Sequence, residues 1–185
     1  MSNGAGQMRS LGVIQAGDIR LRRNARRFQL PAERADAGRV IARLLAAVDR
    51  ISAHHVFVKG IGLAAPQLGL DRAVAVVRPS EVGGRPLTLL NPEVVRESLE
   101  TDEKYEGCLS FFEVRGLVPR PLWIEVAHDL PSGRRVLSRF ERAAARLVSH
   151  ETDHLAGVLY TDRMRPDVRP IGLEEYRGTG TAWEY

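Results

Sequence analysis

The pentapeptide His150-Glu151-Thr152-Asp153-His154 places two imidazoles four residues apart, with a carboxylate next to the first. Residues four apart lie on one face of a helix, so both imidazoles can reach one metal ion while the Glu151 carboxylate lies beside it. Catalytic sites of the zinc type use three protein ligands and keep one coordination position open. The pattern therefore predicts a hydrolytic metal site with Glu151 as the proton-transferring group, if a third ligand comes from elsewhere in the chain.

Three places in the chain were candidates for that third ligand. In H-E-x-x-H-x-x-G-x-x-H sites the last histidine follows a glycine by three residues, but here Gly157 is followed by Tyr160, so this option fails. A small metallopeptidase could instead use Glu174 or Glu175, which lie at a plausible separation downstream. The third candidate is Cys108, the only cysteine of the chain, whose thiolate would bind a divalent ion.

Two helices and several short strands must position these groups. Apolar residues recur at intervals of three and four over residues 31–54, which predicts an amphipathic helix with Pro31 in its first turn. A second helix, predicted over 141–156, carries the histidine motif. Strands are predicted at 73–77, 87–90, 114–118, 122–127 and 136–140, with a turn at Asn91-Pro92. Their short connections favour antiparallel pairing and an α+β fold.

Length and composition indicate one globular domain. The 185 residues are 44% hydrophobic and 27% charged, and no segment approaches the roughly eighteen apolar residues of a membrane span. We expect a flexible N-terminus at 1–10, a single catalytic domain at 11–165 and a tail of unassigned structure at 166–185. The net charge of +4 comes mainly from arginine, and the cluster between Arg20 and Arg27 is interpreted as a solvated face, not a specific nucleic-acid site. The predicted location is the cytoplasm, without a membrane partner.

Three separate segments give the chain a specific resemblance. The runs Gly60-Ile61-Gly62-Leu63-Ala64-Ala65-Pro66-Gln67, Glu106-Gly107-Cys108-Leu109-Ser110 and His150-Glu151-Thr152-Asp153-His154-Leu155 resemble, in this order, the three signature motifs of peptide deformylases. The likeness extends over roughly residues 13–163. It implies an α+β fold in which antiparallel β-sheets surround a central helix that carries the histidine motif.

The resemblance also implies an activity and a role for each site residue. Peptide deformylases remove the formyl group from the N-terminal formylmethionine of nascent polypeptides and release formate. The ion would be ferrous iron, with zinc, nickel or cobalt able to replace it, and the partners would be the formylated peptide and the ribosome near the nascent chain. The implied residues are Cys108, His150 and His154 as metal ligands; Glu151 as the proton-transferring group; Gln67 and the backbone N–H of Leu109 as donors to the formyl oxygen; and Gly62 and Gly107 as substrate contacts.

Two segments depart from the family pattern. Where the family has a small apolar residue followed by Pro-Gly, this chain has Phe111-Phe112-Glu113, which alters the predicted substrate rim. The connection over 53–59 is longer and more apolar than usual, and its His54-His55 pair is interpreted as a helix-end or surface feature. A deformylase acting on another N-formyl compound and a non-catalytic module that binds a partner through its basic face therefore remain alternative hypotheses.

Overall fold

The computed structural model of the chain describes residues 4–79 and 86–180. The helices are α1 (Gly4–Ser10), α2 (Arg34–Ser52), α3 (Arg142–Leu155), α4 (Tyr160–Arg163) and α5 (Leu173–Gly178). The strands are β1 (Ile61–Ala64), β2 (Val74–Arg78), β3 (Leu87–Glu97), β4 (Thr101–Cys108), β5 (Phe111–Pro121), β6 (Trp123–Asp129), β7 (Arg135–Glu141) and β8 (Ile171–Gly172). Short 3-10 helices lie at Ile19–Arg22 and Ala65–Leu68.

The strands form two antiparallel sheets, as the short connections predicted. Five strands pair in the order β1-β2-β3-β6-β7, and three pair in the order β4-β5-β8. Residues along β6 alternate between buried and half-buried positions, which is the period-two pattern of a strand that packs one face on a core. The α+β prediction is confirmed.

Helix α3 lies between the sheets, because it packs on β1, β2 and β7 of the larger sheet and on β5 of the smaller one. Its Ala145 and Val148 pack against Ile124 and Val126 of β6 in one apolar core. Helix α2 covers the other face of β2, where Val74 and the α2 side chains belong to a second core. The predicted central helix that carries the histidine motif is therefore confirmed.

Several sequence-based boundaries were wrong for identifiable reasons. Strand β3 continues through Asn91-Pro92, which we expected to be a turn; Asn91 has a φ of 49° and opens an irregularity in the pairing of β3 with β6. Its side chain bonds the backbone of Phe28, accepting from N–H and donating to C=O, so a distant segment holds this kink. Helix α2 begins at Arg34, three residues after Pro31, which lies in the preceding turn. Strands β1 and β4 were not predicted.

The N-terminal segment differs from the flexible arm that we expected. Residues 4–10 form α1, and Met8 is fully buried against the core that contains α2. Part of the tail at 166–185 is also structured, since β8 pairs with Val114 and Arg115 of β5 and leads into α5. Residues 1–3 and 181–185 lie outside the described residues. Within the parts of the chain that are described, no helix is long and apolar enough to span a membrane.

Burial of Met8 gives a direct test of whether α1 belongs to the fold. Met8→Ala should lower the free energy of unfolding by about 2–5 kcal/mol, because it leaves a cavity in a packed core. Urea denaturation measures this, with Arg9→Ala, an exposed neighbour, as the matched control. Equal stability of the two variants would mean that α1 is not packed in solution.

Candidate metal centre

Three ligand atoms converge where the end of β4 meets α3. One atom each from Cys108, His150 and His154 lies within 4.8 Å of the other two, and all three residues are buried. The Cys108 Sγ is 3.2 Å from His154 Nε2. Strand β4 ends at Cys108. Cys108 lies two residues after Glu106, so both side chains face α3, as alternation along a strand requires. A buried thiol and two imidazoles around one point are a donor set that fits a divalent metal ion.

Glu106 organises the polar groups behind this centre. Its buried carboxylate accepts hydrogen bonds from Arg120 Nε at 2.9 Å, Arg146 Nη1 at 2.8 Å and His150 Nδ1 at 2.9 Å. Burial alone would raise the pKa of Glu106, but the charge of Arg120 and the bonds from His150 and Arg120 outweigh it and hold the pKa well below its ordinary value. Because Nδ1 of His150 is bound to the Glu106 carboxylate, Nε2 is the nitrogen that is left to face the centre.

Arg120 connects Glu106 to Asp153, which lies in the histidine motif of α3. Its Nη1 lies 2.6 Å from Asp153 Oδ2, and Arg163 Nη2 lies 2.6 Å from Asp153 Oδ1. Burial, followed by the charges of His150 and Arg120, lowers the pKa of His154 well below its ordinary value. His154 is therefore a neutral imidazole, which is the form that binds a metal.

Glu151 is buried against the backbone of β1. A Cβ added at Gly62 would come within 2.6 Å of the Glu151 Cγ and Cδ atoms, so only glycine leaves room for this side chain. Among the described residues, Glu151 Oε2 has no hydrogen-bond partner. Burial raises the pKa of Glu151 to about 7, and the charge of His150 opposes this effect only in part. The carboxyl group is poised to gain and lose a proton near neutral pH.

Gln67 points its amide nitrogen at the same place. Its Oε1 accepts a bond from the Ala64 N–H at 2.9 Å, which turns Nε2 toward Cys108 Sγ at 3.5 Å and Ser110 Oγ at 3.3 Å. A residue outside the three motifs stabilises the turn at Leu109 and Ser110, because Gln15 Nε2 donates a hydrogen bond to the Leu109 carbonyl at 3.0 Å. Gln15 was not among the predicted site residues, since a single glutamine far from every motif carries no local signal.

From the sequence, Tyr160 was considered only because it stands where a third histidine ligand would be in the longer zinc motif. In the structure its ring stacks on His150, with centroids 6.0 Å apart and planes 20° apart, and it contacts Phe111 edge-on. Tyr160 is 1% exposed, so it closes the centre from the side of α4. Aromatic packing against His150 fixes the imidazole plane that its hydrogen bond to Glu106 already orients.

The centre opens into a cleft of about 310 Å³. Its lining includes seven of the residues singled out by the sequence, namely Gly62, Gln67, Gly107, Cys108, Leu109, His150 and Glu151, while His154 lies behind it in the ligand group. Gly107 is exposed at the rim, beside the guanidinium of Arg115. Glu174 and Glu175 are exposed on α5, and Glu174 pairs with Arg177, so the structure does not bring them to the centre.

The carboxylate of Glu106 should be essential to this arrangement. Glu106→Gln leaves two buried guanidinium groups without full compensation, so we expect a loss of about 3–5 kcal/mol in the free energy of unfolding. Asp49→Asn is the matched control, because it breaks an exposed pair with Arg78 and should cost less than about 1 kcal/mol. Urea denaturation at pH 7 distinguishes the two, and similar small losses would contradict the role assigned to Glu106.

The loss of stability in Glu106→Gln should depend on pH. Folding lowers the pKa of Glu106, so its ionised form stabilises the protein fully above the unfolded pKa of about 4.3 and progressively less below it. The stability gap between the wild type and Glu106→Gln should therefore narrow as the pH is lowered through 4.

Comparisons with known proteins agree with the geometry. The family model described as polypeptide deformylase matches residues 10–169. Peptide deformylase 1 of Bordetella pertussis is 36% identical over 170 residues, which are 88% of this chain and 92% of that protein. Peptide deformylase 1 of Clostridium acetobutylicum is 34% identical over 152 residues, 82% of this chain and 93% of that protein.

Solved structures give the same result. The crystal structure of peptide deformylase from Thermotoga maritima superimposes with a TM-score of 0.70 and 34% identity, over 83% of this chain and 97% of that one. That of Arabidopsis thaliana peptide deformylase 1B with a bound inhibitor gives 0.72 and 32% identity, over 90% and 86% of the two chains. The protein belongs to the polypeptide deformylase family.

Proposed function

We propose that this protein hydrolyses the formyl amide of N-terminal formylmethionine in nascent polypeptides and releases formate. The observation that carries the proposal is the convergence of Cys108, His150 and His154 within 4.8 Å beside the buried Glu151, at a cleft wide enough for a peptide end. Membership of the deformylase family supports this chemistry. Formylated chains emerge from ribosomes, so we further propose a cytoplasmic site of action close to the nascent chain.

Cys108, His150 and His154 would hold one divalent ion. When bound, the ion supplies Lewis acidity, which lowers the pKa of water and polarises a carbonyl group. We propose ferrous iron as the physiological ion, because the family resemblance implies it, and zinc, nickel or cobalt as ions that the same ligands accept. A thiolate with two imidazoles suits each of these metals, which supports one shared site without selecting among them.

Glu151 would carry the proton between water and the departing amine. It accepts a proton from the attacking water, the C–N bond of the formyl amide breaks, and the same proton passes to the released amino group. A pKa of about 7 suits both steps, since a group near the working pH gives up a proton as readily as it takes one. The charge of a bound cation opposes the effect of burial on this pKa.

Gln67 and the backbone N–H of Leu109 would stabilise the negative charge that builds on the formyl oxygen during attack. The support for Gln67 is its fixed orientation, because the bond from Ala64 leaves the amide nitrogen facing the centre. A donor that is already aimed costs no reorganisation when charge develops, and losing one such donor typically lowers turnover about a hundredfold or more.

The peptide backbone has a strand edge to pair with. Among the described residues β1 pairs only with β2, so it is an edge strand of the larger sheet, and its Ile61 and Gly62 line the cleft. An extended peptide that adds to such an edge gains main-chain hydrogen bonds that do not depend on its sequence. Ala143 and Leu147 of α3 also line the cleft and offer apolar surface to the first side chain.

Glu151→Gln tests the proposed chemistry directly. It should lower formate release from formyl-Met-Ala peptides by about a hundredfold to ten-thousandfold while the protein keeps its metal, because the amide cannot carry the proton. Formate assay and metal analysis of the same sample measure both properties, with exposed Glu100→Gln as control. No formate from the metal-loaded wild type would favour the non-catalytic alternative, and activity only on other N-formyl compounds would favour a specialised enzyme.

The identity of the third ligand is tested by metal retention. Cys108→Ala should reduce bound metal from one ion per chain to a small fraction of that value, because two imidazoles alone hold a divalent ion weakly. Glu174→Gln should retain the ion, since Glu174 is exposed and paired with Arg177. The opposite pattern would support the metallopeptidase alternative with a glutamate ligand.

A further inference from the structure

Exposed apolar side chains lie at the mouth of the cleft, in the segment that departs from the family pattern. Val56 is 89% exposed and Val58 is 78% exposed, yet both line the cleft together with Phe57 and Phe112. We call these four residues the lip. Large apolar side chains this exposed and next to one another mark a surface that binds something apolar.

The direction in which a bound peptide leaves the site points to the lip. The formyl carbon must lie near Glu151, and Glu151 packs against Gly62 of β1. A peptide paired with β1 can then run toward Leu63 and Ala64 or back toward Gly60. Leu63 and Ala64 are fully buried and do not line the cleft, whereas Gly60 lines it, so the open space lies in the second direction.

That direction leads past Gly60 to the wall of the cleft that the lip forms, where residues 57–60 make a turn. Residues 56–62 are continuous, and each of them lines the cleft. An extended peptide advances about 3.3 Å per residue, so the side chains that follow the formylated residue pass Gly60 and then the lip within a few positions. The occupant that fits is therefore the downstream part of the substrate itself.

Helix α1 holds the lip in place. The position of a Cβ at Gly4 would be 2.7 Å from Phe112 Cδ1, so the helix backbone lies directly on this ring. The Ala5 N–H donates to Glu113 Oε1 at 3.2 Å, next to Phe112 in the chain. Gln7 Oε1 lies 3.1 Å from His55 Nε2, which ties α1 to the segment that carries Val56.

His55 joins the two halves of the lip. Its ring centroid is 4.7 Å from that of Phe112 and 6.3 Å from that of Phe57. Residues 4–9 of α1 lie outside the segment that matches the family model, which begins at residue 10. The contacts of α1 with His55, Phe112 and Glu113 thus join residues outside the matched segment to the two segments that depart from the family pattern.

We infer that the lip is a specificity-determining surface that binds apolar side chains of the substrate at the positions following the first two residues. The inference rests on the proposed formyl hydrolysis and adds a preference to it. Phe112 and the Val56–Val58 segment would favour peptides with apolar residues there over peptides with polar ones, and α1 with His55 would position both.

The test compares two peptides that differ only at the third and fourth residues, formyl-Met-Ala-Leu-Leu and formyl-Met-Ala-Ser-Ser. The wild type should prefer the first in kcat/KM. The double variant Val56→Ser/Val58→Ser should lower that preference about tenfold, through KM and not kcat, because it removes apolar surface without touching the reacting groups. Both side chains are exposed, so the fold should tolerate the change.

Leu99→Ser is the matched control, because Leu99 is 101% exposed and does not line the cleft. It should leave the peptide preference unchanged. Phe112→Ala, checked for native stability, should act in the same direction as the double variant. An unchanged preference in both lip variants would overturn the inference while formate release stands, whereas absence of formate release from every peptide would overturn the proposed function instead.

Discussion

The centre depends on one buried carboxylate. Glu106 lies between Arg120, Arg146 and His150, and these groups come from β4, β5 and α3, so a single side chain joins the smaller sheet to the central helix. Such a cluster is a weak source of net stability, because removing several charges from water costs about as much as their attraction returns. Its contribution is to fix the orientation of the side chains around the metal centre. The imidazole of His150 can face the thiol of Cys108 only while its other nitrogen is held, and the hydrogen bond to Glu106 holds it.

The parts of the fold that the sequence predicted are those set by local patterns. The helical spacing of His150 and His154, and the strand-forming runs that became β2, β5, β6 and β7, each depend on neighbours within a few residues. Strand β1 was missed because it is only four residues long and two of them, Gly62 and Ala64, favour strands weakly, and β4 was missed because it is rich in charged residues. Their assignment requires the partner strands, which are distant in sequence. The turn expected at Asn91-Pro92 failed for the same reason, since contacts with Phe28 keep this segment in the sheet.

The functional site also contains some residues that the sequence predicted and others that it did not. Residue type and spacing predicted His150, His154 and Glu151, whereas the resemblance to deformylases implied Cys108 as the third ligand and a role for Gln67. The residues around the centre could not be predicted in this way. Gln15, Arg146 and Tyr160 have no distinctive sequence neighbours, and only the folded structure brings them to the centre. Likewise, the sequence of the first ten residues does not indicate that Met8 is part of the core or that Gly4 packs on the Phe112 ring. Long-range packing decided these roles.

The contact between Gly62 and Glu151 has a mechanical consequence. A glutamate side chain normally explores several rotamers, but the β1 backbone occupies the volume into which this one would swing. Few other rotamers are open to this side chain, so the carboxylate stays on the side of the cleft that Gly62 lines. Strand β1 thus limits the movement of the Glu151 side chain and also forms one wall of the cleft, so any motion that separates the strand from α3 would change the freedom of this carboxylate and the shape of the cleft together.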